Sequence, residues 1–396
     1  QLDREVYSLT TTNYHIHTTV SEDFANLIAD HMEQIFREYR SRLDTLFGGR
    51  DVDKMQILVF ESQRDYIQAL GNIVQGSRGV FIPDKKILAG FIGNDPPDVL
   101  FNVLYHEGFH QFVHHYIAKR CPVWLNEGLA QYFSEAIWTG KRFEVGGIPP
   151  HRLTILRRNR KDELIDVERL LSISSEEWMN KVNTRDPEAS TLYNEAWLLT
   201  HFLIDGANGR FRPKFREYIE KIADGEGSYE AFVDCFGDNF SKLQELLDKY
   251  LQQLEPSKKY ICMQNVRTIG GLLHAIISHD QELLDDIDDM EDLHDLLKDM
   301  KWQLTLQDGT TLDSEDGDKL DEFFQCPFDS NNSISYRLFF PQDNELPAIE
   351  CDHHPGDVRI IGWLSKNAFT GEIEVSVFEK VPTKHSDDSL SLESDF

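Results

Sequence analysis

The chain has 396 residues, 40% of them hydrophobic, and a formal net charge of −29. That length supplies core for two or three domains, while the acidic field disfavours nucleic acid and anionic membrane surfaces and tolerates neutral or cationic peptides. Five cysteines without a C-x-x-C pair do not indicate a disulfide framework, a single Cys326–Cys351 bridge staying open, and no run is apolar for long enough to span a membrane.

Tyr14–Val20 alternates and predicts a strand, with His15 and His17 on one face. An exposed strand face accounts for that pair better than a second metal. Ser21–Phe47 predicts a long amphipathic helix starting at Ser21 or Glu22, Met55–Phe60 a buried strand and Ser62–Leu70 a short helix. Gly79–Ile82 and Lys86–Ile92 flank Pro83-Asp84-Lys85 and predict a hairpin.

Val99, Leu100, Val103, Leu104, Phe112, Val113 and Ile117 recur at helical spacing behind Pro96 and Pro97, with Asp98 as the expected N-cap. This helix carries His106-Glu107-Gly108-Phe109-His110, an H-E-x-x-H run. Side chains four residues apart project from one helix face, so His106 and His110 can share one Zn²⁺. Glu107 is rotated by about 100° from His106 and flanks the metal without binding it. A carboxylate there suits a general base, because zinc lowers the pKa of water to about 7.

Cys121-Pro122 breaks the chain, and Pro122 is placed to start a second helix with Trp124, Leu125, Leu129, Tyr132 and Phe133 as its apolar set. Glu127 on that helix faces back towards the histidines. His106, His110 and Glu127 make the two-imidazole, one-carboxylate set of a catalytic zinc site, one ion per chain, with a fourth position open. An amphipathic helix with incidental histidines is the competing explanation of H-E-x-x-H alone, and Asn126-Glu127 in the next helix weighs against it. His114 could lean towards the same ion but is assigned to the surroundings or the surface, and His115 points away.

These two segments resemble those of gluzincins. Trp124-Leu125-Asn126-Glu127-Gly128-Leu129-Ala130-Gln131-Tyr132-Phe133 resembles the W-L-N-E-G-F-A-x-Y-F stretch of aminopeptidase-N-like enzymes, while the layout is closer to uncharacterised bacterial gluzincin-like domains. The resemblance covers about residues 10–255 and is specific in the two zinc-site segments. It implies a zincin-like catalytic domain, with a small mixed sheet and helices carrying H-E-x-x-H and the downstream glutamate. It also implies a zinc-dependent peptidase acting on a peptide or protein substrate. Tyr193, which opens Tyr193-Asn194-Glu195-Ala196, is the implied oxyanion-stabilising residue, a core or helix-start tyrosine being the alternative. The strand Ile87–Phe91 is implied to edge the cleft and pair with extended substrate. Two departures bear on specificity. Gly90-Phe91-Ile92-Gly93-Asn94 lacks the glutamate that grips a substrate amine, and the gap from His110 to Glu127 is shorter than in aminopeptidases. Endopeptidase action is therefore expected over aminopeptidase action.

Gly146–Pro150 reads as a loop, followed by mostly helical sequence to about Leu254, with a break at Asp186-Pro187. The catalytic unit is expected to end near Glu255-Pro256-Ser257. Residues 280–300 carry a helical pattern, and Gln303–Leu306, Ile334–Phe340, Asp357–Leu364 and Glu372–Phe378 read as strands. Asp313–Asp318 has its glycine misplaced for a calcium loop, and His353 and His354 have no partner pair. The Ser- and Asp-rich sequence from Pro382 predicts disorder. The expected class is α+β, with a zincin-like part at 1–140, a helical continuation at 141–256, a small α+β appendage at 257–381 and a tail at 382–396. The chain begins at Gln1, and export with removal of a leader is the expected localisation. A non-catalytic, zinc-stabilised binding protein or scaffold, whose acidic C-terminal part meets an unidentified protein partner, is the alternative. The intact Glu107 weighs against it, since a scaffold has no use for that base.

Overall fold

A computed structural model describes residues 5–43, 53–71, 74, 76–93, 97–116, 121–138, 142–159, 166–279, 282–283, 287–305, 311–315, 317–327, 336–340, 346–351, 359–366 and 373–380. The expected tail from 382, His353, His354 and Asn94 lie outside the described residues. The fold is α+β, mostly helix with a small mixed sheet. The chain divides into two compact units, Gln1–Ala136 with Val145–Pro256, and Ile137–Glu144 with Ser257–Phe396. Among the described residues, no helix is long and apolar enough to cross a membrane.

The first unit opens with β1 (Tyr7–Thr10), β2 (Tyr14–Thr18), α1 (Glu22–Arg42), β3 (Met55–Phe60), α2 (Gln63–Leu70), β4 (Gly79–Ile82) and β5 (Ile87–Phe91). Then come α3 (Pro97–Tyr116) and α4 (Val123–Ser134). The chain next forms the hairpin of β6 (Ile137–Trp138) and β7 (Phe143–Glu144), which belongs to the second unit. The first unit resumes with α5 (Pro150–Asn159), α6 (Val167–Ser172), α7 (Ser175–Thr184), α8 (Pro187–Gly209), α9 (Arg212–Ala223), α10 (Ser228–Phe236) and α11 (Phe240–Gln253).

The five-stranded sheet has the order β1-β2-β3-β5-β4. β2, β3 and β5 run parallel, while β1 and β4 are antiparallel to their neighbours. This corrects the expectation that Ile87–Phe91 edges a cleft. After the β4–β5 turn the chain returns between β3 and β4, so β5 is bonded on both sides and Gly79–Ile82 is the outer strand. On β2, Tyr14 and Ile16 are buried and His15 and His17 lie on the opposite face. His17 Nδ1 meets Ser8 Oγ at 2.8 Å and His15 Nδ1 meets Thr10 Oγ1 at 2.9 Å, each across the β1–β2 pair. Cross-strand pairing therefore accounts for the two histidines.

α1 starts where the sequence places it, with the Ser21 hydroxyl accepting from Phe24 N at 3.1 Å, and ends at Arg42, short of Phe47. α3 begins at Pro97, whose fixed φ suits a first helical position, so Asp98 lies inside the first turn rather than capping it. One face of α3 is locked into the unit. Gln111, fully buried, donates from Nε2 to Gln56 O at 2.9 Å and Lys86 O at 3.3 Å. Tyr39 of α1 donates to Tyr105 O at 2.7 Å, and its ring packs on Phe109, Phe112 and Phe133 at centroid distances of 5.3, 5.3 and 4.8 Å. Phe109 and Phe112 are held in this aromatic core, and His106 and His110 share the flank of the helix about 110° round from it.

The second unit contains that hairpin, α12 (Lys258–His279), α13 (Met290–Asp299), β8 (Gln303–Thr305), β9 (Thr311–Asp313), α14 (Gly317–Phe323), β10 (Arg337–Phe339), β11 (Ala348–Cys351), β12 (Arg359–Lys366) and β13 (Ile373–Lys380). β10 to β13 form an antiparallel four-stranded sheet in chain order. Its core includes Cys262, Met263, Val266, Ile269 and Leu273 of α12 with Leu338, Ile349 and Leu364 of the sheet. Among the described residues of 280–300, regular α-helix runs over α13, which Asp289 and Asp292 start with a reciprocal capping box.

Candidate metal centre

α3 and α4 bring three donor atoms together. His106 Nε2 and His110 Nε2 lie 3.2 Å apart, and Glu127 Oε2 is 3.6 Å from each. Donors bound tetrahedrally to one zinc at about 2.0–2.1 Å stand about 3.3 Å apart, so this triangle needs only small adjustment to hold one ion. The three side chains are 20, 13 and 13% exposed, sheltered but still partly accessible. Glu107 also has a donor atom within 4.8 Å of both histidines. Glu127 is the better third ligand, because it is nearer to both rings and because Glu107 Oε2 is engaged elsewhere, accepting from Phe81 N of β4 at 2.9 Å.

Electrostatics favour a cation at the centre of the triangle. Burial alone would raise the Glu127 carboxyl, but the adjoining His110 and His106 outweigh it and hold the group well below the usual carboxylate range. Burial alone would lower His110, yet the Glu127 charge overrides it and pushes the imidazole up to about 9. The same attraction that holds Glu127 charged would act on a cation placed between the three side chains.

Asn126, the neighbour of Glu127, makes a contact at this site that spacing did not assign. Its side-chain oxygen is 3.0 Å from His110 Nδ1. A carbonyl oxygen only accepts, so Nδ1 carries the hydrogen and Nε2 keeps its lone pair for the metal. Asn126→Ala is expected to weaken metal affinity by about 10- to 100-fold. Competition against a chromophoric zinc chelator measures this, and an unchanged affinity would deny Asn126 the orienting role.

Tyr193 lies in the second turn of α8, not at its start. Its ring stands edge-on to Trp178 at 5.1 Å. Burial, followed by the charge of Glu127, pushes its hydroxyl up to about 12, so it stays protonated at neutral pH and Tyr193 sits within electrostatic reach of the metal triangle. α8 is held to α4 by Arg152 of α5, another residue the motifs did not reveal. It binds Gln131 of α4 and Glu135 at the C-cap of that helix, reaches Asn194 Oδ1 at 3.3 Å and lies 5.4 Å over the Trp197 ring. His114 packs edge-on against Phe81 at 5.4 Å, and His115 Nδ1 bonds the Gln111 carbonyl at 2.8 Å. A separate hollow on the same unit is lined by Ser62, Arg64, Ser77, Arg78, Phe91 and Gly93, and no member of the triangle borders it.

The model of a family described only as a protein of unknown function, DUF1570, matches residues 101–224. This is less than a third of the chain, but it contains His106, Glu107, His110, Glu127 and Tyr193. No curated protein matches the chain.

Proposed function

We propose that the first unit is a zinc-dependent peptidase of gluzincin type with a zincin-like arrangement of sheet and helices. The observation carrying this reading is the triangle of His106, His110 and Glu127 with Glu107 beside it. Their chemistry fits one Zn²⁺: two neutral imidazoles and one carboxylate, one ring oriented by Asn126. When bound, zinc would supply Lewis acidity, polarising a carbonyl and making water a stronger acid.

The protein's own groups do the rest. Glu107 accepts a proton from water and returns it to the leaving amine. The β4 strand, outermost in the sheet, offers backbone groups to an extended peptide, in place of the inner strand β5 that the resemblance suggested. Phe81 of β4 bonds Glu107, so the strand that would seat substrate also fixes the base. Tyr193, kept protonated, can donate to the oxygen on which charge develops. Endopeptidase action is favoured because Gly90-Phe91-Ile92-Gly93 lacks an amine-gripping glutamate.

A peptide panel with free and blocked N-termini tests the reading. Cleavage of both kinds is expected, lost when the metal is chelated and restored by added zinc. Cleavage that persists in fully metal-free protein would reject the proposal.

A further inference from the structure

The second unit holds a cluster that none of the chemistry above uses. Cys262 of α12, Cys326 just after α14, and Cys351 at the end of β11 come from three separate elements, yet their sulfurs all lie within 4.8 Å of one another. Cys326 Sγ and Cys351 Sγ are 3.3 Å apart. All three are buried, at 0, 2 and 0% exposure. They are every cysteine of this unit, since Cys121 and Cys235 belong to the first.

The surroundings hold this geometry in place. Asn265 lies three residues after Cys262 on α12 and therefore on nearly the same helix face. It donates from Nδ2 to Gln325 O at 3.2 Å and Glu322 O at 3.5 Å, and the Tyr336 hydroxyl reaches Gln325 O at 3.5 Å. The helix that carries one sulfur thus clasps the residue next to the second. The rest of the cluster's setting is apolar core, with Val266, Leu338 and Ile349 in it.

We propose that Cys262, Cys326 and Cys351 form a second, structural metal site that takes a thiophilic d¹⁰ ion of the Zn²⁺ or Cu⁺ kind. Sulfurs bound at about 2.3 Å stand about 3.8–4.0 Å apart in tetrahedral or trigonal geometry, within the 4.8 Å limit that encloses the three thiols here. A Cys326–Cys351 disulfide would use two of these sulfurs and leave the third pressed against the bond, whereas a metal ion uses all three. On binding, three S–H bonds break, three protons pass to solvent and three sulfur–metal bonds form, with no change of oxidation state. Ligands drawn from a helix, a loop and a strand would then be tied by one ion, which stabilises the folded unit by mass action.

The test is elemental analysis and native mass spectrometry of the full-length protein, with His106→Ala, Cys262→Ser and Cys326→Ser alongside. Two ions per chain are expected in the wild type and one in each variant, and the ion left in His106→Ala identifies the metal as zinc or copper. Protein from cobalt-supplemented growth should show a thiolate-to-metal charge-transfer band that survives His106→Ala and vanishes in Cys326→Ser. Because the band is read in the wild type, a poorly folding variant does not obstruct the result. A wild type without that band, holding only an ion that His106→Ala removes, would overturn the proposal. So would a wild type that, denatured without reductant, titrates two fewer thiols than its five cysteines, since that is the disulfide.

Discussion

Glu107→Gln is expected to bind metal as the wild type does and to lose turnover by about 10²- to 10⁴-fold, the usual contribution of a positioned general base. The two side chains have nearly the same shape. The Gln amide oxygen can still accept from Phe81 N, the bond that Glu107 Oε2 now makes at 2.9 Å. The substitution therefore leaves the link between α3 and β4 in place and removes only a group able to take a proton. None of the three candidate ligands is touched, and Asn126 still meets His110. Measuring kcat on the best peptide together with zinc content separates the outcomes. Turnover near the wild-type value at full occupancy would remove Glu107 from the reaction. Loss of zinc along with activity would mean that Glu107, whose donor atom is within 4.8 Å of both imidazoles, serves as a ligand instead.

The meeting of His106, His110 and Glu127 was legible because its geometry is local. A helix fixes the relation of His106 to His110 by spacing alone, and a helical hairpin sets Glu127 opposite them. The element boundaries near the site were legible for the same reason: Met55–Phe60, Gly79–Ile82 and the helix starting after Ser62 follow from alternation and side-chain caps. Strand order was not, because nothing local records that β5 inserts between β3 and β4. That arrangement puts Phe81 rather than Ile87–Phe91 at the edge and beside Glu107. Arg152 was hidden for a similar reason, since its three partners lie on, or at the cap of, two other helices. The strand β1 is short, and its partner is recognisable only once His15 and His17 are seen to pair with Thr10 and Ser8. The three cysteines of the second unit show no motif spacing, and only the packing of α12 against the sheet brings their sulfurs together.

Gly128→Ala is expected to damage both stability and metal binding, although alanine is the better helix former by about 1 kcal/mol. An added Cβ at Gly128 would sit 2.4 Å from Thr200 Oγ1 and 2.5 Å from Ala196 O. The hydroxyl could turn away, but the Ala196 carbonyl belongs to the backbone of α8 and can retreat only if the helix moves. Overpacking of this kind costs about 1–3 kcal/mol, which in a unit of this size lowers Tm by about 2–12 °C. The displacement falls where it matters for chemistry, because Glu127 is the preceding residue on α4 and Tyr193 lies one turn before Ala196 on α8. Separating the helices draws the carboxylate away from two imidazoles that it now meets at 3.6 Å. Zinc affinity should therefore fall with Tm. Gly108→Ala provides the contrast within the same motif region. There the new Cβ meets Met32 Cε at 2.8 Å, the far end of a flexible side chain that can swing aside. Its helix propensity gain offsets most of the adjustment, so Tm should stay near the wild-type value and zinc binding should persist. Equal responses from the two variants, read by calorimetry with and without zinc, would show that close contact at Gly128 does not set the spacing of α4 and α8.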